Sequence, residues 1–226
     1  MSVKGLIRPL PGARQLSLFR QQLSFRGSAP YWERSYARGW TSGDGSYGAF
    51  GQAKAHFLNT FVGEHAVQSV VELGCGDGNL LSMANYPRYL GLDVSATAIE
   101  LCMRKFAVDP AKSFLLYDGA HFTDNARFIT ADLALSLDVV YHLIEEPVFE
   151  TYMANLFRAG QRFVIVYSTN DILRDTAPHV RHRIFTSWVD SNCPDWRLAK
   201  VTPGPGVEPA RSDFFVYEKL PGNDPC

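Results

Sequence analysis

An aspartate and a histidine stand four residues apart in the stretch SLDVVYHLIEE, which covers residues 136–146. The first half of the stretch is apolar enough for a buried strand, and the polar residues begin where that strand would end. Asp138 and His142 have three open interpretations: a structural pair, a pair in which His142 acts as a general base, or ligands of a divalent metal ion. Glu145 and Glu146, by contrast, are interpreted as first-turn acids of the next helix.

A second stretch with histidines supports the metal interpretation. HVRHRIFTSW carries His179 and His182 and follows the fifth predicted strand. The carboxyl ends of parallel strands meet at one edge of a sheet, so His182 is expected near Asp138 and His142. Two imidazoles and a carboxylate suit Mg²⁺, Mn²⁺ or a similar ion. We therefore predict Asp138 and His142 as the catalytic residues, and Asp138, His142 and His182 as the ligands if a metal takes part.

A glycine-rich turn lies upstream in VVELGCGDG, residues 70–78, with the pattern G-x-G-x-G. Glycines between a strand and a helix let the backbone approach a ligand closely, and the helix start offers unpaired N–H groups. Glu72 precedes the first glycine by two residues, and Asp93 ends the next predicted strand. An acid there can bind both hydroxyls of a ribose, although it could also serve only as a first-turn helix acid. The pattern favours a nucleoside-containing cofactor.

The elements that must position these residues alternate along the chain. Strands are predicted over 67–73 and 89–94 and in SFLLYDGA, DLALSLDVVY and QRFVIVYSTN, and helices from Asn79, from Ser95 to about Phe106, in PVFETYMANLF and in RIFTSWVDSN. Two closing strands, DWRLAKVTP and SDFFVYEKL, are joined by a Pro/Gly loop without a helix, so the last strand should be antiparallel. Such alternation predicts an α/β sheet with right-handed crossovers.

The chain before the first strand divides into two parts. Residues 1–30 form a basic arm, because five basic residues precede the first acid, Glu33. This composition is typical of a mitochondrial transit peptide, but it also fits an arm that packs on the domain, on an anionic ligand or on a second copy in a homodimer. Residues 31–63 combine a glycine- and aromatic-rich segment, interpreted as a lid rather than a plain loop, with an amphipathic helix. Residues 64–220 form the main domain, and 221–226 a frayed tail.

Composition excludes several classes of protein. The 226 residues carry a net charge of −1, which gives no global preference for nucleic acid or an anionic membrane. No apolar run reaches the roughly 20 residues of a membrane span. The four cysteines form no CxxC pair, which favours neither a zinc knuckle nor a disulfide framework and fits a cytoplasmic protein.

At this point the sequence resembles class I S-adenosylmethionine-dependent methyltransferases. VVELGCGDG is similar to their first motif, GLDVS to their second and YDGA to their third. The resemblance covers about residues 67–219 and implies a Rossmann-like seven-stranded sheet in the order 3-2-1-4-5-7-6, with strand 7 antiparallel and helices on both faces. It implies that the glycines border the methionine part of the cofactor, Asp93 holds the ribose and Asp118 lies near the adenine. The predicted cofactor-binding residues are Glu72, Gly74, Gly76, Gly78, Asp93, Val94, Asp118 and Ser136.

The acceptor is suggested by a looser resemblance. The aromatic lid followed by DVVYHLIEEPVF resembles actinobacterial sugar O-methyltransferases, among them the 1-O-methyltransferase of methylmannose polysaccharide synthesis. DVVYH with the later Arg-His pair also resembles the metal site of small-RNA 2′-O-methyltransferases, although Tyr141 stands where those have an acid. We expect methyl transfer to a hydroxyl of a sugar or oligosaccharide, with RNA 2′-O-methylation or methylation of a small phenol or quinone as alternatives. A cofactor-binding module without activity is disfavoured by the intact motifs.

Overall fold

One seven-stranded sheet organises the residues that the computed structural model describes, which are 25–173, 177–206 and 212–221. Its strands are β1 (Val70–Leu73), β2 (Tyr89–Asp93), β3 (Lys112–Leu116), β4 (Ala131–Leu137), β5 (Gly160–Ser168), β6 (Trp196–Pro203) and β7 (Asp213–Lys219). Their order is β3-β2-β1-β4-β5-β7-β6, and β7 runs antiparallel to both β5 and β6. The predicted fold class, strand order and antiparallel last strand are confirmed.

Helices cover both faces of the sheet. They are α1 (Ser28–Ala37), α2 (Gly48–Glu64), α3 (Ala96–Lys105), α4 (Glu146–Ala159) and α5 (Phe185–Asn192). Residues of α2 and α3 share one apolar cluster with Leu133, Leu135 and Leu137 of β4. Ala134 contributes to the opposite cluster, which contains α4 and α5. This alternation of side chains along β4 is the period of two that a strand buried on both faces must have.

Two elements differ from the sequence expectation. The segment expected as an irregular lid begins with helix α1, which has no side-chain cap and starts after Gly27. The helix expected from Asn79 is absent, and the described chain makes only a short 3₁₀ turn there, at Leu81–Met83. Few residues separate the glycine turn from β2, and they include Pro87, which disfavours helical conformation in the residue before it.

The strand order reverses direction between β1 and β4. Strands β1 and β4 are parallel neighbours, and the chain leaves β1 toward β2 on one side and later enters β4 on the other. Ligands of open α/β sheets bind in the crevice outside the carboxyl ends of strands at such a reversal. Among the described residues, no helix is both long and apolar enough to cross a membrane.

The predicted arm falls largely outside the described residues, as does nearly all of the predicted tail. The structure describes the arm only from residue 25 onward, and the tail only at residue 221.

Candidate active site

The glycine turn after β1 is a backbone conformation that other residues resist. Gly74, Gly76 and Gly78 have φ values of +85°, +58° and +70°. A Cβ on Gly74 would lie 2.5 Å from a methyl group of Val139, and a Cβ on Gly76 would lie 2.3 Å from Ser42 Oγ. The first two glycines therefore leave room for close neighbours on the side of the ligand crevice.

A cavity of about 500 Å³ opens above this turn, a size within the range of small-molecule sites. Its lining comes from the segment between α1 and the 3₁₀ turn at Asp44–Ser46, from the glycine turn, and from the chain at or after the carboxyl ends of β2, β3, β4 and β5. The predicted cofactor residues that line it are Glu72, Gly74, Gly76, Asp93, Val94 and Asp118. The predicted catalytic residues Asp138 and His142 line the same cavity.

Two predicted cofactor residues lie elsewhere. Ser136 is fully buried on the α4 face of β4, where its hydroxyl accepts a hydrogen bond of 2.7 Å from Tyr152. Alternation along the strand places it there, because its neighbours Leu135 and Leu137 face the other side. A Cβ on Gly78 would meet Cys102 Sγ at 2.9 Å, so this glycine serves the packing of the turn on α3.

Buried acids form the floor of the cavity. Both oxygens of Asp93 accept backbone hydrogen bonds of 2.9 Å, one from Gly76 and one from Ser95, yet burial raises its pKa to about 6. Glu72 accepts a hydrogen bond of 2.6 Å from the Tyr89 hydroxyl, and burial raises the pKa of Glu72 to about 7. A cation bound in the cavity would lower both pKa values, because it stabilises the ionised carboxylates.

Asp77, which the sequence analysis did not single out, fastens the covering segment to the glycine turn. Its Oδ2 accepts hydrogen bonds from the Ser42 amide at 3.0 Å and from the Tyr47 hydroxyl at 2.7 Å. Its Oδ1 accepts one from the Asn79 amide at 3.0 Å, and its own amide donates to Ser42 Oγ at 3.0 Å. Although burial opposes ionisation, these bonds hold the pKa of Asp77 below its usual value. Hydrogen bonds thus hold residues 41–47, the cap segment, against the cavity wall.

Helix α1 is fixed at its start and at its middle by hydrogen bonds to carboxylates. The amide and hydroxyl of Ser28 donate to Glu145 at 2.9 and 2.7 Å, and the Glu33 carboxylate accepts hydrogen bonds of 2.6 Å from the Ser95 and Thr97 hydroxyls. Glu145 is the N-cap residue of α4, so its expected place at the helix start is correct. Its side chain, however, lines the cavity and holds α1, a contact 117 residues apart in sequence that no local pattern reveals.

Asp138 follows directly on β4 with a left-handed backbone, φ +60°. Lys54 of α2 forms an ion pair and hydrogen bond with its Oδ2, and the Tyr141 hydroxyl donates to its Oδ1 at 2.9 Å. The Lys54 side chain is only 1% exposed. Both oxygens of Asp138 therefore have partners within the protein, and one of them is a cation.

His142 lies in the 3₁₀ turn after Asp138, under the aromatic residues of α1. Its Nδ1 is 2.8 Å from the carbonyl oxygen of His179, and a carbonyl can only accept, so Nδ1 carries the proton and Nε2 the lone pair. The Trp32 ring meets the His142 ring edge-on with centroids 4.8 Å apart. Burial lowers the pKa of His142 to about 4, so the imidazole is neutral at ordinary pH.

The predicted metal ligands do not converge. His182 Nδ1 lies 2.8 Å from Thr169 Oγ1, and this histidine is not among the described residues that line the cavity. Asp138 is already paired with Lys54. Within the part of the chain that the structure describes, no three or more His, Cys, Asp and Glu side chains are grouped to hold a metal ion. The set of Asp138, His142 and His182 therefore does not fit a metal centre in this arrangement.

The cavity does fit S-adenosylmethionine. Gly74 and Gly76 present only backbone to it, and Asp93 at the end of β2 stands where a ribose-binding acid is expected. Val94 and Asp118 line the wall on the side of β2 and β3. Carboxyl groups in the lining, such as Glu72 and Asp93, suit the ammonium and sulfonium groups of this cofactor.

Comparisons with known proteins find methyltransferases. A family model described as a methyltransferase domain matches residues 71–165. The small RNA 2′-O-methyltransferase of Arabidopsis thaliana is 29% identical over 134 residues, which are 52% of this chain and 14% of that protein. The chain thus spans only a small part of this relative's length.

Solved structures share the fold at low identity. The methyltransferase domain of bacterial CtHen1-C matches with a TM-score of 0.61 and 19% identity over 75% of this chain and 98% of that one. The N-methyltransferase NodS from Bradyrhizobium japonicum, in complex with S-adenosyl-L-homocysteine, matches with a TM-score of 0.64 and 16% identity over 87% and 100%. Residues 71–165 thus match a methyltransferase domain, and the described sheet shares its fold with methyltransferases of known structure.

Proposed function

We propose that the protein transfers the methyl group of S-adenosylmethionine to a hydroxyl of a sugar ring. The observation that carries this proposal is the neutral His142, which lines the cavity beyond the end of β4 and has its lone pair on Nε2. A hydroxyl must lose its proton as it is methylated, and a neutral imidazole within reach can accept that proton. Asp138 is less suited to this task, because Lys54 and Tyr141 occupy its two oxygens.

The chain's own residues divide the work. Bound S-adenosylmethionine supplies an electrophilic methyl group on a sulfonium. Gly74, Gly76 and Asp93 would hold the cofactor, while Trp32 and the cap segment cover the cavity and limit water. His142 orients the acceptor hydroxyl and takes its proton, and the His179 carbonyl keeps the imidazole in the required tautomer. Methyl transfer is an in-line displacement, so positioning by these groups supplies much of the rate.

The charge of the cavity favours a neutral acceptor. Seven acids line it, and none of the described lining residues is lysine or arginine. An acceptor with several phosphates would meet unfavourable potential there, whereas hydroxyl groups can donate to carboxylates. The rings of Trp32, Tyr141 and His142 add flat apolar faces. A sugar or oligosaccharide combines apolar ring faces with hydroxyl donors and suits this lining.

A second acceptor is favoured by the comparison with the Arabidopsis thaliana small RNA 2′-O-methyltransferase. A terminal ribose of RNA is also a sugar with a free hydroxyl, and it could enter with its phosphates outside the cavity. This route would draw on the basic arm, most of which lies outside the described part of the chain. We rank it second, because the described cavity lining carries seven acids and no lysine or arginine that would attract a nucleic acid.

The test uses labelled S-adenosylmethionine with three acceptor panels: neutral mono- and oligosaccharides, short RNAs, and phenols. We expect transfer to a neutral sugar, and transfer to RNA alone would replace the first proposal by the second. His142→Ala should lower kcat by about 10² to 10⁴-fold, the usual contribution of a positioned base, while the Kd for S-adenosylmethionine changes little. Chelation with EDTA followed by Mg²⁺ or Mn²⁺ addition tests metal assistance. Activity that disappears with EDTA and returns with the metal would contradict the metal-free route.

A further inference from the structure

Lys54 is a buried cation in a position where a surface residue is expected. It lies on α2, before the first strand, and only 1% of its side chain is exposed. Its ammonium group pairs with Asp138 and lies 4.9 Å from the centre of the Tyr167 ring at the end of β5. A lysine is held in such a place only when its charge is compensated, and Asp138 provides that compensation.

The pair fixes the chain at the end of β4. Asp138 adopts a left-handed backbone that is unfavourable for most residues and that aspartate tolerates. Its oxygens hold Lys54 and the Tyr141 hydroxyl, and the 3₁₀ turn that carries His142 begins two residues later. The direction in which the chain leaves the sheet, and with it the place of His142, therefore depends on an ion pair with a helix from another part of the sequence.

The cap segment rests on the same pair. A Cβ built on Gly45 would lie 2.8 Å from Asp138 Oδ2 and 3.5 Å from Lys54 Nζ. The 3₁₀ turn Asp44–Ser46 thus passes directly over the two charges, with no room for a side chain between them. The ion pair touches both the cover of the cavity and the base of the turn that carries His142.

We propose that Lys54 is a positioning residue for methyl transfer: through Asp138 it sets the placement of His142 and the seating of the cap segment. The proposal rests on the proposed function, in which His142 faces the acceptor. Lys54 does not line the cavity, so it acts through Asp138 rather than by contact with the cofactor. Asp138 then serves as an anchor with its charge compensated, and the proton of the acceptor goes to His142.

A mutant cycle tests the pairing. Lys54→Met keeps the length of the side chain and removes its charge, Asp138→Asn removes the opposite charge, and the double variant removes both. Each single variant should lower kcat by 10-fold or more, a larger factor than the rise in the Kd for S-adenosylmethionine or in the KM for the acceptor. Because the two residues act as one unit, the double variant should be no slower than the slower single variant. A double variant whose kcat loss is the product of the two single losses would overturn the pairing, and Lys54→Met with unchanged kcat would overturn the role.

Hydrogen exchange supplies a readout that needs no acceptor. Gly45→Ala and Lys54→Met should each speed amide exchange at Ser46 and Tyr47 by 10-fold or more in the cofactor-free protein. Gly63→Ala is the matched control, since a Cβ on Gly63 meets nothing within 4 Å. If wild-type protein methylates none of the panels, the proposed function fails, while faster exchange would still support the seating of the cap segment. Unchanged exchange in both variants would overturn that seating even in an active enzyme.

Discussion

Replacing Asp77 by asparagine should release the cap segment while leaving the sheet intact. The Asp77 carboxylate accepts three hydrogen bonds, two on Oδ2 from Ser42 and Tyr47 and one on Oδ1 from Asn79. An asparagine presents a single acceptor oxygen, so one or two of these bonds to a charged group are lost. At about 1.5–3 kcal/mol each, with discount for partial exposure, the closed form loses about 2–4 kcal/mol. That corresponds to a closing equilibrium about 30- to 900-fold less favourable.

The assay is hydrogen exchange by NMR or mass spectrometry on the cofactor-free protein, where direct contact with S-adenosylmethionine plays no part. The amides of Ser42, Ser46 and Tyr47 should exchange about 30- to 900-fold faster, whereas amides of β4 should keep their protection. Cofactor dissociation should accelerate as well, because the cap segment lines the cavity. Asp109→Asn, a partly exposed acid that bonds locally to Ala111 and Lys112, is the control. Unchanged exchange in the Asp77 variant would refute the fastening role.

Two further predictions concern the cavity floor. Glu72 has its pKa raised by burial from 4.5 to about 7, so the folded form prefers the neutral carboxyl and loses stability as pH rises from about 4.5 to 7. Glu72→Gln keeps the acceptor for the Tyr89 hydroxyl and cannot ionise. Urea unfolding should therefore show that the stability of the variant relative to wild type increases from pH 4.5 to 7, by about 3 kcal/mol at most. A stability difference that does not vary with pH would contradict the raised pKa of Glu72. Gly76→Ala should weaken cofactor binding 10-fold or more, as measured by calorimetry. The reason is that φ +58° costs a non-glycine residue about 1–2 kcal/mol and that the new Cβ would lie 2.3 Å from Ser42 Oγ. Binding within two-fold of wild type would show that the cap segment moves away without cost.

The sequence predicts the sheet well because its signals are local. Apolar runs of strand length, the glycine turn and Ser95 as the cap of α3 each identify one element, and the Pro/Gly link between the last strands indicates the hairpin. Helix α1 has no such local signal in its sequence. It starts without a capping side chain, and its stability comes from Glu145, Ser95 and Thr97, which lie 62 to 117 residues away. A helix held by tertiary contacts leaves little trace in its own residues.

The site was predictable in its location and less so in its connections. Asp138 and His142 could be placed at the end of β4 because the strand itself was recognisable. The sequence does not predict the ion pair of Asp138 with Lys54 or the hydrogen bond between His182 and Thr169, because each partner lies on a different element. A lysine in QAKAHFLNTFV is expected to face solvent by residue type alone. The predicted metal ligands are separated for the same reason: suitable residue types reach one edge of the sheet, but Lys54, the His179 carbonyl and Thr169 each bind one of them.

The seven acids around the cavity show why such connections matter. If all of them were ionised side by side, their repulsion would oppose folding. The protein limits this repulsion in three ways: Asp138 is paired with a cation, Asp77 is held by hydrogen bonds, and Glu72 and Asp93 have pKa values that burial raises. A positively charged cofactor would lower the pKa values of these last two carboxyl groups. The floor of the cavity can therefore respond to the charge of the cofactor, while the hydrogen bonds of Asp77 and the ion pair of Asp138 hold the cap segment and the turn of His142 in place.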